Sequence, residues 1–144
     1  MRAGSIWAHK DFVCSNGSVL EKKYVIILNT PHDNAVPYFI CLATSQGRRK
    51  PQSPGCHAER GYFIIVGGQE WFPVKTWLVL NKLYEKRYDY FLKKRFEDGV
   101  LEEVSELSPK TIKAIIKCIQ ACKDVTKYQR DIIRECAAKE GRLK

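Results

Sequence analysis

Lys22-Lys23-Tyr24-Val25-Ile26-Ile27-Leu28 and Tyr38-Phe39-Ile40-Cys41-Leu42-Ala43-Thr44-Ser45-Gln46-Gly47 decide how this chain is read. Each contains a short apolar run rich in β-branched and aromatic residues and closed by polar or turn-forming ones, the pattern of a buried strand. A cation, Lys23, stands at the start of the first strand, and the hydroxyls of Thr44 and Ser45 stand at the end of the second. If the strands are neighbours, Lys23 and Thr44 converge on one anion. A phosphodiester is the natural candidate.

Working outward, Ile6-Trp7-Ala8, Tyr62-Phe63-Ile64-Ile65-Val66 and Thr76-Trp77-Leu78-Val79-Leu80 are further short apolar runs. Asn16-Gly17, Pro31, Gly47, Pro54-Gly55 and Gly67-Gly68 punctuate them as turns. Five short strands so spaced predict a small, strongly curved antiparallel sheet or β-barrel. Several runs are apolar throughout, so both faces of those strands are expected to be covered.

The period changes near Asn81. Tyr84, Tyr88, Phe91, Leu92 and Phe96 follow helical spacing, with Gly99 as a stop. Ser108-Pro109 reads as an N-cap with proline at the first helical position, and Ile112, Ile115, Ile116 and Ile119 form the apolar stripe of a second helix to about Cys122. Thr126 to Gln129 has capping-box spacing, and Ile132, Ile133 and Cys136 give a third helix ending before Gly141. The expected fold class is therefore α+β: a β-barrel core over residues 1–81 and a C-terminal helical extension over 82–144 packed on it, one domain overall. Helices this amphipathic need the sheet or a second subunit to cover their apolar faces.

A formal net charge of +9 favours an acidic partner, whether nucleic acid, an acidic protein or an anionic membrane surface. The longest loop, Ser45 to Gly61, carries Arg48, Arg49, Lys50 and Arg60 directly after Thr44. Loops of this length in a small domain are uncommon unless functional, and these cations suit phosphates; a solvated turn is the plain alternative. Lys22, Ser45, Gln46, Arg48, Arg49, Lys50 and Arg60 are accordingly the candidate RNA-binding residues. Trp71, Phe72 and Tyr62 can stack unpaired bases. Core or dimer interface is the competing reading for such aromatics.

The six cysteines show no close paired spacing, and Cys41 lies inside an apolar strand, so reduced thiols are expected. Cys118 and Cys122 share a helix face, and Cys56-His57 sit together in a loop, but neither group has metal-type spacing and no metal or other cofactor is expected. No apolar stretch approaches the roughly 20 residues that span a bilayer, and Met1-Arg2-Ala3-Gly4 leads into a strand without a signal-peptide core, so a cytoplasmic protein with no membrane association is expected. Of the histidines, His57 lies in the basic loop, and imidazole is the side-chain type that changes charge near neutral pH, which makes it the candidate proton carrier. His9 on the first strand and His32 in a turn read as structural or simply exposed.

The order of these pieces resembles the PemK/MazF family of toxins from bacterial type II toxin-antitoxin systems. Gly4-Ser5-Ile6-Trp7 followed by Asp11-Phe12 is similar to the family's opening strand, and Val13 to Lys22 matches the flexible loop after it. Leu42-Ala43-Thr44-Ser45-Gln46 is similar to the strand end that carries the family's threonine, and Phe72-Pro73-Val74-Lys75-Thr76-Trp77 to the approach to its last long strand. The resemblance covers roughly residues 4 to 81. It implies an SH3-like barrel, a homodimer, an acidic antitoxin as protein partner, and metal-independent cleavage of single-stranded RNA to a 2',3'-cyclic phosphate and a 5'-hydroxyl.

In the family an arginine and a threonine are associated with cleavage. The resemblance assigns those places to Lys23 and Thr44, with His57 added as proton carrier. Where the family has arginine then proline, this chain has Lys23 then Tyr24. Lysine is a point charge without the two-pronged guanidinium, and the change is not conservative at a phosphate. A second reading is a non-catalytic nucleic-acid- or protein-binding module on the same barrel. The related CcdB gyrase poisons bind a protein target and cleave nothing, so fold alone does not decide. A third is a basic accessory protein whose helical tail recruits a partner.

Overall fold

The structure, a computed structural model, describes residues 1–141. It is an α+β fold in which seven antiparallel strands form one sheet and three helices lie in the C-terminal part. The strands are β1 (Ser5–Val13), β2 (Val19–Ile27), β3 (Tyr38–Thr44), β4 (Gly55–His57), β5 (Tyr62–Ile65), β6 (Thr76–Lys86) and β7 (Leu101–Glu106). Their order across the sheet is β4-β5-β6-β3-β2-β1-β7. β4 and β7 are free ends, so the sheet is open.

β1 and β2 are a long hairpin, with Trp7 opposite Val25 and His9 opposite Lys23. The loop expected from Val13 to Lys22 is a tight turn instead, because Val19 to Lys22 pair with β1. Asn16 Oδ1 accepts from the Ser18 amide at 3.0 Å and closes that turn beside Gly17, whose φ is 87°. Charged Glu21, Lys22 and Lys23 hid the strand because this arm is half in solvent. Asn29, buried after β2, donates to the Pro37 carbonyl at 3.0 Å and accepts from the Phe39 amide at 2.7 Å. Those two bonds fix how β3 returns alongside β2.

The change of period does not fall at Asn81, since β6 continues to Lys86. Tyr84 is therefore on a strand, and the first helix is short: α1 (Tyr88–Leu92) runs into a π-helical turn, Lys93–Glu97, ended by Gly99 at φ 63°. β7 then pairs with β1, a strand that Glu102 and Glu103 made illegible. β4, inside the expected long loop, pairs with β5 and was missed for its shortness.

The other two helices form as their end signals dictate. α2 (Pro109–Ala121) starts at Ser108, whose side chain accepts from the Thr111 amide. α3 (Lys127–Lys139) starts in a complete capping box between Thr126 and Gln129. Ile112, Ile115, Ile116 and Ile119 of α2 are fully buried against Ile26, Phe39, Leu78 and Leu80 of the sheet. Each such side chain contributes about 1.5–3 kcal/mol of transfer free energy. The other face buries Trp7, Phe12, Val25, Ile27, Tyr38 and Ile40 with Phe91 of α1. Both faces of the central strands are covered, as their unbroken apolar runs require.

Reduced thiols were expected throughout, but Cys56 and Cys118 form a disulfide. They are 62 residues apart in sequence and meet because β4 lies against α2. The expectation of reduced thiols is thereby corrected for this pair; the cytoplasmic expectation rests instead on the sequence lacking a bilayer-length apolar run and a signal-peptide core. Cys14, Cys41, Cys122 and Cys136 are free, and burial pushes the Cys41 thiol up to about 12. Among the described residues no helix is long and apolar enough to cross a membrane.

Candidate functional site

The β2–β3 ladder pairs Ile27 with Ile40, Ile26 with Cys41, Val25 with Leu42 and Tyr24 with Ala43. Lys23 and Thr44 lie one residue beyond the last pair, where the two strands part. The two strands are neighbours, as expected, and the entry cation and exit hydroxyl lie at the same end of their ladder. Both residues are half-buried, and both line a pocket of about 630 Å³.

The pocket has two walls. Lys22, Lys23, Tyr24, Thr44, Ser45 and Gln46 come from the β2 and β3 ends, and Trp71, Phe72 and Val74 from the β5–β6 connection, with Thr76 at the start of β6. Trp71 meets Tyr24 edge to face, with ring centroids 4.8 Å apart, and Phe72 lies 5.6 Å from Trp71. Lys22 Nζ stands 5.5 Å from the Tyr24 ring centroid, a cation over an aromatic face. Strand alternation gives the two lysines different duties. Lys22 shares the face of Tyr24, while Lys23 shares that of Val25 on the other side of the sheet. They therefore reach the mouth of the pocket from opposite sides, and Lys22 is the cation of the aromatic side. Thr44 Oγ1 accepts from the Gln46 amide at 3.1 Å, which leaves its O–H to donate elsewhere.

The aromatic wall is braced from behind. At Gly67 a Cβ would lie 2.8 Å from the Lys75 amide nitrogen, so only glycine lets the two arms of the connection approach. The Gly68 amide donates to the Phe72 carbonyl at 3.0 Å. Between them Glu70 reaches the start of α2: its carboxylate accepts from the Ser108 amide at 3.0 Å, from Ser108 Oγ at 2.7 Å, and from Thr111 Oγ1. Burial pulls the Glu70 carboxyl up, but the hydrogen bonds from Thr111 and Ser108 outweigh it and hold the group below its ordinary value.

The basic loop sits apart from the pocket. Arg48, Arg49, Lys50, Arg60 and His57 do not line it, although the loop begins at Ser45 and Gln46, which do. Several of its cations brace the loop itself: Lys50 Nζ donates to the Gln46 carbonyl at 2.8 Å and Arg60 Nη2 to the Arg49 carbonyl at 2.6 Å. Trp77 Nε1 donates to the Pro51 carbonyl at 2.8 Å, and Gly47 packs so closely on the Trp77 ring that a Cβ there would lie 2.1 Å away. Arg48 and Arg49 remain exposed on this folded loop. His57 Nε2 donates to the Ser53 carbonyl at 2.7 Å, on β4 at the sheet edge. Tyr62 is separated from Trp71 and Phe72 and has Lys50 Nζ 5.9 Å from its ring centroid.

His9 is buried on β1, opposite Lys23. Its Nδ1 donates to the Lys10 carbonyl at 2.7 Å, so Nε2 accepts from the Tyr90 hydroxyl at 2.8 Å. Burial lowers its pKa, Lys94 and Lys86 push the same way, and the Lys10 hydrogen bond and Asp11 oppose them. His32 faces Asp33 at 3.6 Å and belongs to neither group.

Sequence reasoning did not assign Tyr24, Thr76 or Glu70 to the site. Tyr24 was visible only as a departure from proline, and Glu70 only as the residue before Trp71-Phe72. Among the described residues no three His, Cys, Asp or Glu side chains converge as a metal ion requires. The arrangement offers two ammonium groups, a free hydroxyl donor and rings packed edge to face, which suit an unpaired base joined to a phosphate. No protein-family model, curated protein or solved structure matches this chain.

Proposed function

We propose that this chain is a toxin of PemK/MazF type that binds single-stranded RNA in the Lys22–Thr44–Trp71 pocket and cleaves it without a metal. One observation carries the reading: two lysines, a hydroxyl donor and an aromatic wall share a pocket of about 630 Å³ at the parting of β2 and β3. On this reading the open sheet corresponds to the small curved SH3-like barrel of that family. The protein acts in the cytoplasm as a homodimer and is restrained by an acidic antitoxin drawn to its net charge of +9.

In the proposed reaction the 2'-hydroxyl attacks the adjacent phosphorus in line and gives its proton to solvent water, the P–O5' bond breaks, and the 5'-oxygen takes a proton from water, leaving a 2',3'-cyclic phosphate and a 5'-hydroxyl. Lys23 neutralises the charge that builds on the phosphorane oxygens, and the Thr44 O–H donates to one of them. Lys22 holds the flanking phosphate, and Trp71 with Tyr24 carries a base. Ser45 and Gln46 orient the strand, and Arg48 and Arg49 extend the cationic track.

A second reading, a binding module on the same framework, is favoured by a specific observation. The pocket lining holds no histidine or carboxylate to take the 2'-proton, and His57 is held at β4 outside it. Expression of wild type, Lys23→Ala and Thr44→Ala in a bacterial cell without an antitoxin separates the two. Arrested growth and fragmented RNA with the wild type, and recovery with either variant, support the enzyme. Equal growth and intact RNA in all three cultures leave the binding module.

A further inference from the structure

We propose that Glu70 is a positioning residue for this pocket, its carboxylate clamping the Trp71–Phe72 wall to the first turn of α2. The inference rests on the RNA-binding reading and deepens it. Three donors converge on one side chain from residues 38 and 41 positions away, and one of the two hydroxyls, Ser108 Oγ, is also the N-cap of α2, so the clamp is tied into the helix start itself. The Ser108 amide belongs to the unpaired donors at a helix start, where an anion is also favoured by the helix dipole.

The backbone supports the same assignment. Glu70 has φ 55°, a left-handed conformation that glycine or asparagine adopts more readily. A glutamate is held there by the bonds its side chain makes, and the next two residues are the pocket's aromatic wall. Rotation of the Glu70 peptide is transmitted directly to the Trp71 ring, which meets Tyr24 at 4.8 Å. The clamp thus sets the gap into which a base must stack, although Glu70 itself does not line the pocket.

Glu70→Ala removes every acceptor. Glu70→Gln keeps one oxygen for the two hydroxyls and loses the acceptor for the Ser108 amide. Trp7 and Trp77 are buried and Trp71 is half-exposed, so acrylamide quenching of tryptophan emission reports chiefly on Trp71. Quenching should rise about twofold in Glu70→Ala and less in Glu70→Gln. Affinity for a single-stranded oligouridylate should fall about tenfold, the scale of one lost base–aromatic stack, while affinity for an abasic ribose-phosphate oligomer stays unchanged. If Glu70→Ala does not fold, the same shifts in reduced form are required of Glu70→Gln.

Unchanged quenching, or equal loss for the based and abasic oligomers, overturns the positioning role. Should the wild type bind neither oligomer, the RNA reading falls. The clamp is then judged on quenching alone, a rise supporting it and no change overturning it.

Discussion

Replacing both Cys56 and Cys118 with alanine should cost this protein about 4 kcal/mol of stability under oxidising conditions. The bridge spans a sequence separation of 62, and closing a loop of that length removes about 14 cal/mol/K of chain entropy from the unfolded state, or about 4 kcal/mol at 25 °C. That is a large part of the roughly 5–15 kcal/mol that separates folded from unfolded states in most domains. For a chain of this size it corresponds to a fall of roughly 10 °C in melting temperature. The assay is urea unfolding followed by tryptophan emission, for wild type and double variant, each with and without a dithiol reductant. The wild type should lose stability on reduction and the variant should not. Thiol titration of the oxidised, denatured wild type should find four free cysteines. Six free thiols together with coincident unfolding curves would refute the bridge and the placement of β4 against α2.

His9 makes stability depend on pH near neutrality. Its folded pKa lies below 6.5, so the unfolded chain binds the proton first; stability is full above pH 6.5 and declines as pH falls below it. His9→Asn should remove that slope in urea titrations between pH 7 and pH 5. If the proposed RNA binding holds, Lys22→Ala should weaken it on all sequences and reduce the slope of log affinity against log salt by about 1, as expected for one phosphate contact. Ile115→Ala, in the fully buried stripe of α2, should cost about 2–5 kcal/mol by urea unfolding.

The parts of this fold that were legible in the sequence are those whose signal is local. The apolar runs of β2 and β3 announce themselves because both sheet faces are covered there, and Ser108 and Thr126 mark helix starts because capping is chemistry within one turn. β7 escaped because an edge strand carrying Glu102, Glu103 and Glu106 has no apolar run to read. The helix expected from Tyr84 began late because Leu83 and Tyr84 suit a strand as well as a helix, and pairing with β3 decided it.

Site residues divided along the same line. Lys23 and Thr44 could be placed together from strand order alone, since each sits next to a paired residue. That Lys22 is the cation of the aromatic side depends on register parity, which a shift of one residue would reverse. His57 fell outside the pocket because β4 pairs with β5, and the Cys56–Cys118 bridge and the Glu70 clamp join segments far apart in sequence. Nothing local signals such contacts.

The most direct test of the pocket's proposed chemistry is the identity of the RNA ends it produces. Purified wild type should cut a single-stranded RNA in the presence of a metal chelator, leaving a 2',3'-cyclic phosphate and a 5'-hydroxyl, with cleavage abolished in Thr44→Ala and Lys23→Ala. RNA left intact by the wild type, or cut equally by both variants, would contradict the account.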